Sequence, residues 1–165
     1  MQKTFLKITF LAIAIAFFGN TAQAQQYNTG VGVRLGGYEN GLTVKHFISS
    51  NTAIEGILGF RPGGFALTGL YQKHATAFDV QSLKWFYGFG AHIGGIGKGK
   101  SYKRHGEDRL YNNSGILLGA DAILGLEWLI PDLPITLGAD LHPRLELLNG
   151  TFIDIEPALT IRYAF

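Results

Sequence analysis

Gly94-Gly95-Ile96-Gly97-Lys98-Gly99-Lys100-Ser101 matches G-x-x-x-x-G-K-S, the pattern of a phosphate-cradling loop. Leu117-Leu118-Gly119-Ala120-Asp121 resembles the second half of such a nucleotide site. The chemistry requires a helix opening at the Lys-Ser, so that backbone N–H groups aim at phosphate. The next residues, Tyr102 to Asp108, are polar and carry no apolar stripe. The segment therefore reads as a Gly/Lys-rich surface loop. Five histidines are available: His46, His74, His92, His105 and His142. Asp140-x-His142 puts both side chains on one face of a strand, where Asp121 or His92 could join them around a metal. No short multi-ligand spacing supports that, and the group reads instead as a network of hydrogen bonds and ion pairs. Ser49, Ser50, Ser82 and Ser114 lie in or beside turns, and none stands two residues from a histidine on one strand face. That argues against a Ser–His nucleophile. There is no cysteine, which removes thiolate ligands and disulfides. No catalytic, cofactor-binding or metal residue is assigned.

The elements that carry these residues alternate with period 2, the mark of strands with two unlike faces. Ile153, Ile155, Pro157, Leu159, Ile161, Tyr163 and Phe165 share one face of the last segment; Asp154, Glu156, Thr160 and Arg162 are on the other. Eight such strands are expected, at roughly 27–38, 41–48, 52–61, 64–74, 82–94, 115–128, 134–146 and 152–165. Asn40-Gly41, Pro62-Gly63-Gly64, Pro131-Asp132-Leu133-Pro134 and Asn149-Gly150 supply turn chemistry between them. No segment after the N-terminal region offers 18 consecutive apolar residues. The fold class expected is all-β: an eight-stranded antiparallel up-and-down transmembrane β-barrel.

In that frame the wide apolar residues face out. The inward face receives Arg34, Lys45, Lys84, Arg144 and Arg162 together with Glu55, Asp121, Glu127, Asp140, Glu146, Asp154 and Glu156. A soluble ligand-binding barrel has the reverse polarity, with apolar residues inside. The near-balance of charges argues for a lumen plugged by ion pairs and against a wide pore. Ile57, Leu70, Phe86, Leu117 and Ile123 also land inward, as apolar plugs. Aromatic residues mark two girdles: Tyr27, Tyr71, Trp85, Trp128, Tyr163 and Phe165 at the end with both termini, and Tyr38, Phe60, Phe65 and Phe152 at the other.

Lys3 and Lys7, an apolar run from Ile8 to Phe18, and Ala22-Gln23-Ala24 have the grammar of a cleaved signal peptide, residues 1–24, ahead of a barrel domain at 25–165. Without those two lysines, basic and acidic residues are equal at twelve each. A neutral chain with 16% charged residues, below the roughly 25% of an average domain, is no nucleic-acid binder by charge.

The terminal Phe165, with Tyr163, Ile161 and Leu159 at alternate positions before it, resembles the C-terminal strand of bacterial outer-membrane barrels. Across the mature chain the pattern is similar to the small eight-stranded group typified by the OmpA transmembrane domain and OmpX. The resemblance implies an outer-membrane protein in contact with lipid and lipopolysaccharide. In that group the barrel-assembly machinery reads the Leu159-Ile161-Tyr163-Phe165 signal. It implies a monomer with a structural or surface-interaction role, in envelope integrity or adhesion, and no catalysis. The 95–114 connection is the longest. Its Lys98, Lys100, Lys103, Arg104 and Arg109 outnumber Glu107 and Asp108, which suits a polyanionic surface or another surface ligand. Two other readings remain open: a soluble exported barrel for a small apolar ligand, and a lipid-modifying membrane enzyme.

Overall fold

The computed structural model of the chain describes residues 27–97, 101–104, 107–110, 115–148 and 152–165. Among them are ten strands and no helix: β1 (Thr29–Gly36), β2 (Asn40–Ser49), β3 (Thr52–Arg61), β4 (Gly64–Ala77), β5 (Val80–Ile96), β6 (Ser101–Arg104), β7 (Glu107–Leu110), β8 (Gly115–Leu129), β9 (Ile135–Glu146) and β10 (Phe152–Ala164). Eight close into a barrel in the order β1-β10-β9-β8-β5-β4-β3-β2, while β6 and β7 pair separately. Every barrel pairing is antiparallel. With β6 and β7 taken as an insertion between β5 and β8, the barrel is up-and-down. Its closing seam pairs Gly30–Gly36 with Ala158–Ala164, and Phe165 and Thr29 exchange two backbone hydrogen bonds of 2.8 Å.

The period-2 pattern becomes two surfaces. Along β3 the burial alternates without a break from Ala53 to Arg61. Along β10, Asp154, Glu156, Thr160 and Arg162 are buried, whereas Ile153, Ile155, Leu159 and Ile161 are exposed. Arg34, Arg162 and Lys45 are the largest fully buried side chains among the described residues, at 1%, 2% and 0% exposure, and Phe89 on the outer wall is 68% exposed. Soluble proteins bury Arg and Lys least. The polarity is therefore inverted, with ionised groups inside and hydrocarbon outside.

Several expected boundaries shift. The first connection lies at residues 37–39; Asn40 and Gly41, expected to form the turn, already pair with Leu35 and Arg34. Strands β4 and β5 run on past 74 and before 82 to a two-residue turn, Phe78-Asp79, where both φ angles are positive (53° and 57°). That is the type I′ geometry whose twist suits a hairpin. Pro62-Gly63 closes β3 to β4 with Gly63 at φ 79°, as a type II turn requires. The 95–114 connection is not a plain loop, since β6 and β7 form a hairpin within it. The Asn149-Gly150 turn lies outside the described residues. Tyr27 and Tyr38, assigned to the girdles, turn inward: their hydroxyls reach Glu127 and Asp154. Each hydroxyl is a donor that a buried carboxylate can use, and that decides the ring's side.

One ladder has a gap. Between β8 and β9 the pairing skips Ala122 and Ile123 opposite Pro143 and His142. Leu147 N donates to Leu118 O at one end of this ladder, and Ile130 N to Ile135 O at the other. That phase makes Ala122–Pro143 a hydrogen-bonded pair, and proline has no N–H to give the Ala122 carbonyl. The gap falls midway along β8. Pro143→Val restores the donor on the outer face. It is expected to raise the urea midpoint of the folded barrel in detergent, by about 1 kcal/mol in stability; an unchanged midpoint in a correctly folded variant would show that the gap is no weakness.

Candidate functional site

The barrel interior gathers the ionised side chains into two clusters. At the end that carries both termini, Lys45 on β2, Glu55 on β3, Glu127 on β8 and Arg162 on β10 converge. Lys45 Nζ is 2.8 Å from Glu127 and 3.6 Å from Glu55. Arg162 donates to Glu127 at 3.0 Å and to Glu55 through Nη2. Thr43 and Gln72 also donate to Glu55, the latter at 2.6 Å, and the Tyr27 hydroxyl donates to Glu127 at 2.6 Å. Two cations meet two carboxylates. Charges this deep persist only when paired and hydrogen-bonded. Ile57, Leu70, Phe86 and Ile123, four of the expected plugs, pack together beside this cluster, with Lys45 Nζ 4.3 Å from the Phe86 ring centre. The fifth, Leu117, packs with Ile96 against Tyr38.

Toward the loop end the second cluster is larger. Arg34 makes a two-pronged pair with Asp140 (2.6 and 2.8 Å). His142 Nε2 lies 3.0 Å from Asp121 Oδ1, in a geometry that lacks hydrogen-bond direction. His92 bridges Asp121 (2.8 Å) and Glu146 (3.2 Å) through its two ring nitrogens. Arg144 Nε is 3.4 Å from Asp121 and its other nitrogens grip Glu39 at 2.9 and 2.6 Å. Arg61 holds the same Glu39 at 3.0 and 2.6 Å. Glu156 accepts the backbone N–H groups of Tyr38 (3.0 Å) and Glu39 (2.8 Å), which ties the β1–β2 turn to β10. Three guanidiniums and two imidazoles share this end of the lumen with these five carboxylates.

Eleven of the twelve charged residues expected to face inward are buried, Lys84 being half-buried, and side-chain contacts join most of them inside the barrel. Asp140 and His142 share a strand face and both meet Arg34, Asp140 through two short bonds and His142 Nδ1 at 3.4 Å, while His142 also faces Asp121. Among the described residues no group of three or more His, Asp or Glu side chains has the arrangement to hold a metal ion. The phosphate-loop match has no helix behind it, since Ser101 opens strand β6. Lys98 and Lys100 lie outside the described residues; Lys103, Arg104 and Arg109 lie on the β6–β7 hairpin, opposite Asp108, Glu107 and Tyr102.

Two strand-borne lysines stand apart from both clusters: Lys84 faces in as expected, and Lys73, which was not among the residues expected inside, does not. Lys73 lies between the buried Gln72 and His74, hence on the outer face, where its amine reaches Thr52 at 2.7 Å. Long lysines do this near a membrane boundary by snorkelling. Lys84 is half-buried, 5.6 Å from the Phe47 ring centre, and joins neither cluster. Glu39 and Arg61 were not foreseen. Arg61 follows Glu55, Ile57 and Gly59 at period 2, so its inward direction was readable. Glu39 sits in a turn, where strand parity gives no direction. Its signal was indirect: a Cβ at Gly59 would collide with the Glu39 carboxylate, so that glycine clears its space.

The fold and its interior define a small closed β-barrel, eight-stranded, with a charged core and an apolar wall. No protein-family model matches the chain, and no curated protein does. Among solved structures, the barrel is similar to the N-terminal β-barrel domain of Pseudomonas aeruginosa OprF, with a TM-score of 0.64 at 14% identity, over 85% of this chain and 100% of that one. It is also similar to Neisserial surface protein A, with a TM-score of 0.53 at 10% identity, over 83% and 94% of the two chains. At such identities the likeness is one of fold, and it agrees with the expected eight-stranded architecture.

Burial alone would raise the Glu39 carboxyl, but the Arg144 and Arg61 guanidiniums beside it prevail and hold it at about 2, below its ordinary 4.5. A depressed carboxylate stabilises the fold above its unfolded value and loses that contribution as pH falls through the folded one. Stability in detergent is therefore expected to decline between about pH 4.5 and 2, with a shallower decline in Glu39→Gln; identical pH curves for the two proteins would refute the assignment. Arg162→Met leaves Glu55 and Glu127 sharing Lys45 alone. It is expected to cost about 3–5 kcal/mol, part of which Glu55→Gln should restore, as a double-mutant cycle in urea would measure.

Proposed function

We propose that the chain is an integral outer-membrane β-barrel with a structural or surface-interaction role, a lumen plugged by ion pairs, and no catalytic activity. One observation carries this reading: the wall exposes hydrocarbon on every strand while Arg34, Lys45 and Arg162 are buried at the centre. A soluble monomer seldom exposes contiguous apolar patches above a few hundred Å², and a ligand-binding soluble barrel would line its interior with the residues found here outside. The height agrees. The twelve residues of β9 extend roughly 40 Å, or roughly 28 Å along the barrel axis at a tilt of about 45°. The apolar band of outer-membrane barrels is about 25 Å tall.

On this reading residues 1–24 direct export and are removed; they lie outside the described residues. Leu159, Ile161 and Phe165 stand on the outer wall at the closing strand, with Tyr163 half-buried, where an assembly machinery could meet them. Lipid and lipopolysaccharide cover the wall, and the positive 95–114 connection meets surface polyanions or another surface ligand.

Cell fractionation tests the proposal. The protein is expected in the outer membrane as a detergent-soluble band whose gel mobility changes on heating, and a soluble periplasmic pool would refute it. Phe165→Ala is expected to lower the yield of folded protein in that membrane at unchanged synthesis, whereas equal yield would remove the assembly role. In planar bilayers the purified barrel is expected to pass no steady ionic current; a stable open channel at neutral pH would contradict the plug.

A further inference from the structure

The outer wall carries a single charge. Among the described residues of the eight barrel strands, Lys73 is the only Lys, Arg, Asp or Glu on the outward face. In the ladder it lies between Thr52 of β3 and Tyr87 of β5. Its amine donates to the Thr52 hydroxyl at 2.7 Å and stands 5.6 Å from the centre of the Tyr71 ring. Thr52, 3% exposed, donates in turn to Asn51 of the β2–β3 turn at 3.3 Å. The lysine is thereby fastened to the terminal rim. An ammonium has three N–H groups. One goes to Thr52, no carboxylate pairs with the amine, and two remain.

We propose that Lys73 holds the phosphate of one phospholipid from the leaflet at the terminal end. The inference rests on the membrane reading above and goes beyond it by naming a site and the group that the site takes. Charge complementarity selects the occupant. The counter-charge must come from outside the chain. The wall of a second copy does not supply it, since among the described residues that wall bears no acid. The anion that surrounds a barrel at this depth is the phosphodiester of a lipid. Depth agrees. From Phe65, at the loop-end girdle, to Lys73 is ~27 Å along β4, or roughly 19 Å along the barrel axis at a tilt of about 45°. The apolar band is about 25 Å tall, and a lysine stem covers the small remainder. A lone cation is tolerated on a lipid face only near such an edge. The neighbouring rings suit the same depth: Tyr71 and Tyr87 share the face of Lys73, and Trp85 stacks on Tyr87 with ring centres 5.4 Å apart.

The test is native mass spectrometry of the protein purified from its own membrane in a maltoside detergent, which has no phosphate. It is offered either phosphatidylglycerol or a diacylglycerol with the same chains. The wild type is expected to carry phosphatidylglycerol and not the diacylglycerol. Lys73→Met keeps the stem and removes the charge, and is expected to lower the phosphatidylglycerol-bound fraction about five-fold. Lys73→Arg is expected to retain the lipid. So is Lys84→Met, which removes the half-buried cation that faces the lumen at the same end. Heat-modifiable gel mobility establishes that each variant is folded, and Lys73→Gln replaces the Met variant should that one fail to fold. Equal binding by the wild type and a folded Lys73→Met overturns the proposal. So does equal retention of the diacylglycerol, which would make hydrocarbon the ligand. Displacement of the lipid by inorganic phosphate, beyond the effect of chloride at the same ionic strength, overturns it in favour of a free anion. Absence of the protein from the membrane fraction would refute the membrane reading itself, whereas a membrane-resident barrel whose lipid binding ignores Lys73 refutes only this site.

Discussion

A closed barrel this narrow crowds its interior charges together, and several find their counter-charge on a strand across the lumen. Arg162 on β10 is held by Glu55 on β3 and Glu127 on β8, neither of which is a ladder neighbour of β10. Arg34 on β1 reaches Asp140 on β9 past the intervening strand β10. The ladder builds the wall, and these pairs set its register. A one-residue slip of β10 would carry Arg162 to the hydrocarbon face and Ile161 into the charged centre, a double penalty that fixes the pairing. Such interactions need not add net stability relative to an apolar core. Their consequence here is specificity: one alignment of eight strands satisfies them together.

Volume imposes the second condition. Guanidinium and carboxylate side chains fill the lumen, so other inward positions must be small. Gly59 leaves room for the Glu39 carboxylate, and Gly36 for that of Glu156. Through Glu39 the turn at residues 37–39 becomes part of the interior: two arginines from β3 and β9 grip its side chain, while Glu156 on β10 accepts its backbone N–H. A surface turn is thereby fastened to three strands. The apolar group of Ile57, Leu70, Phe86 and Ile123 fills space beside the first cluster that no ion pair occupies, so the plug is mixed rather than wholly ionic.

Period-2 alternation was enough to read eight strands, their two faces and the inward direction of the twelve charged residues, because in a strand parity alone decides the side. Parity fails where the strand stops. It could not orient Glu39, nor place the first turn before Asn40-Gly41, a pair whose turn chemistry is genuine but which here pairs in β2. It put Tyr27 and Tyr38 in lipid-facing girdles, since aromatic rings suit both a headgroup region and a carboxylate-lined mouth. Only the position of Glu127 and Asp154 decides between them. Pairing across the lumen was equally hidden. That Arg162 reaches Glu55 and Glu127, and Arg34 reaches Asp140, depends on curvature and shear, which no local spacing encodes.

With the lumen filled and the wall apolar, the capacity for specific polar recognition is confined to the ends of the barrel. The terminal end is closed by short turns, two residues at Phe78-Asp79 and two at Ser50-Asn51. At the loop end the β1–β2 and β3–β4 turns span three and two residues and the first is bound into the interior, which leaves the β5–β8 and β9–β10 connections. The first of these is flanked by β5, at 17 residues, and β8, at 15, the two longest strands of the barrel, and holds the β6–β7 hairpin. A hairpin pre-orders a connection that would otherwise lose much conformational entropy on meeting a partner. On the proposed surface role, the basic residues of this hairpin belong to a connection that takes no part in the barrel ladder, where neither lumen packing nor strand parity dictates their type.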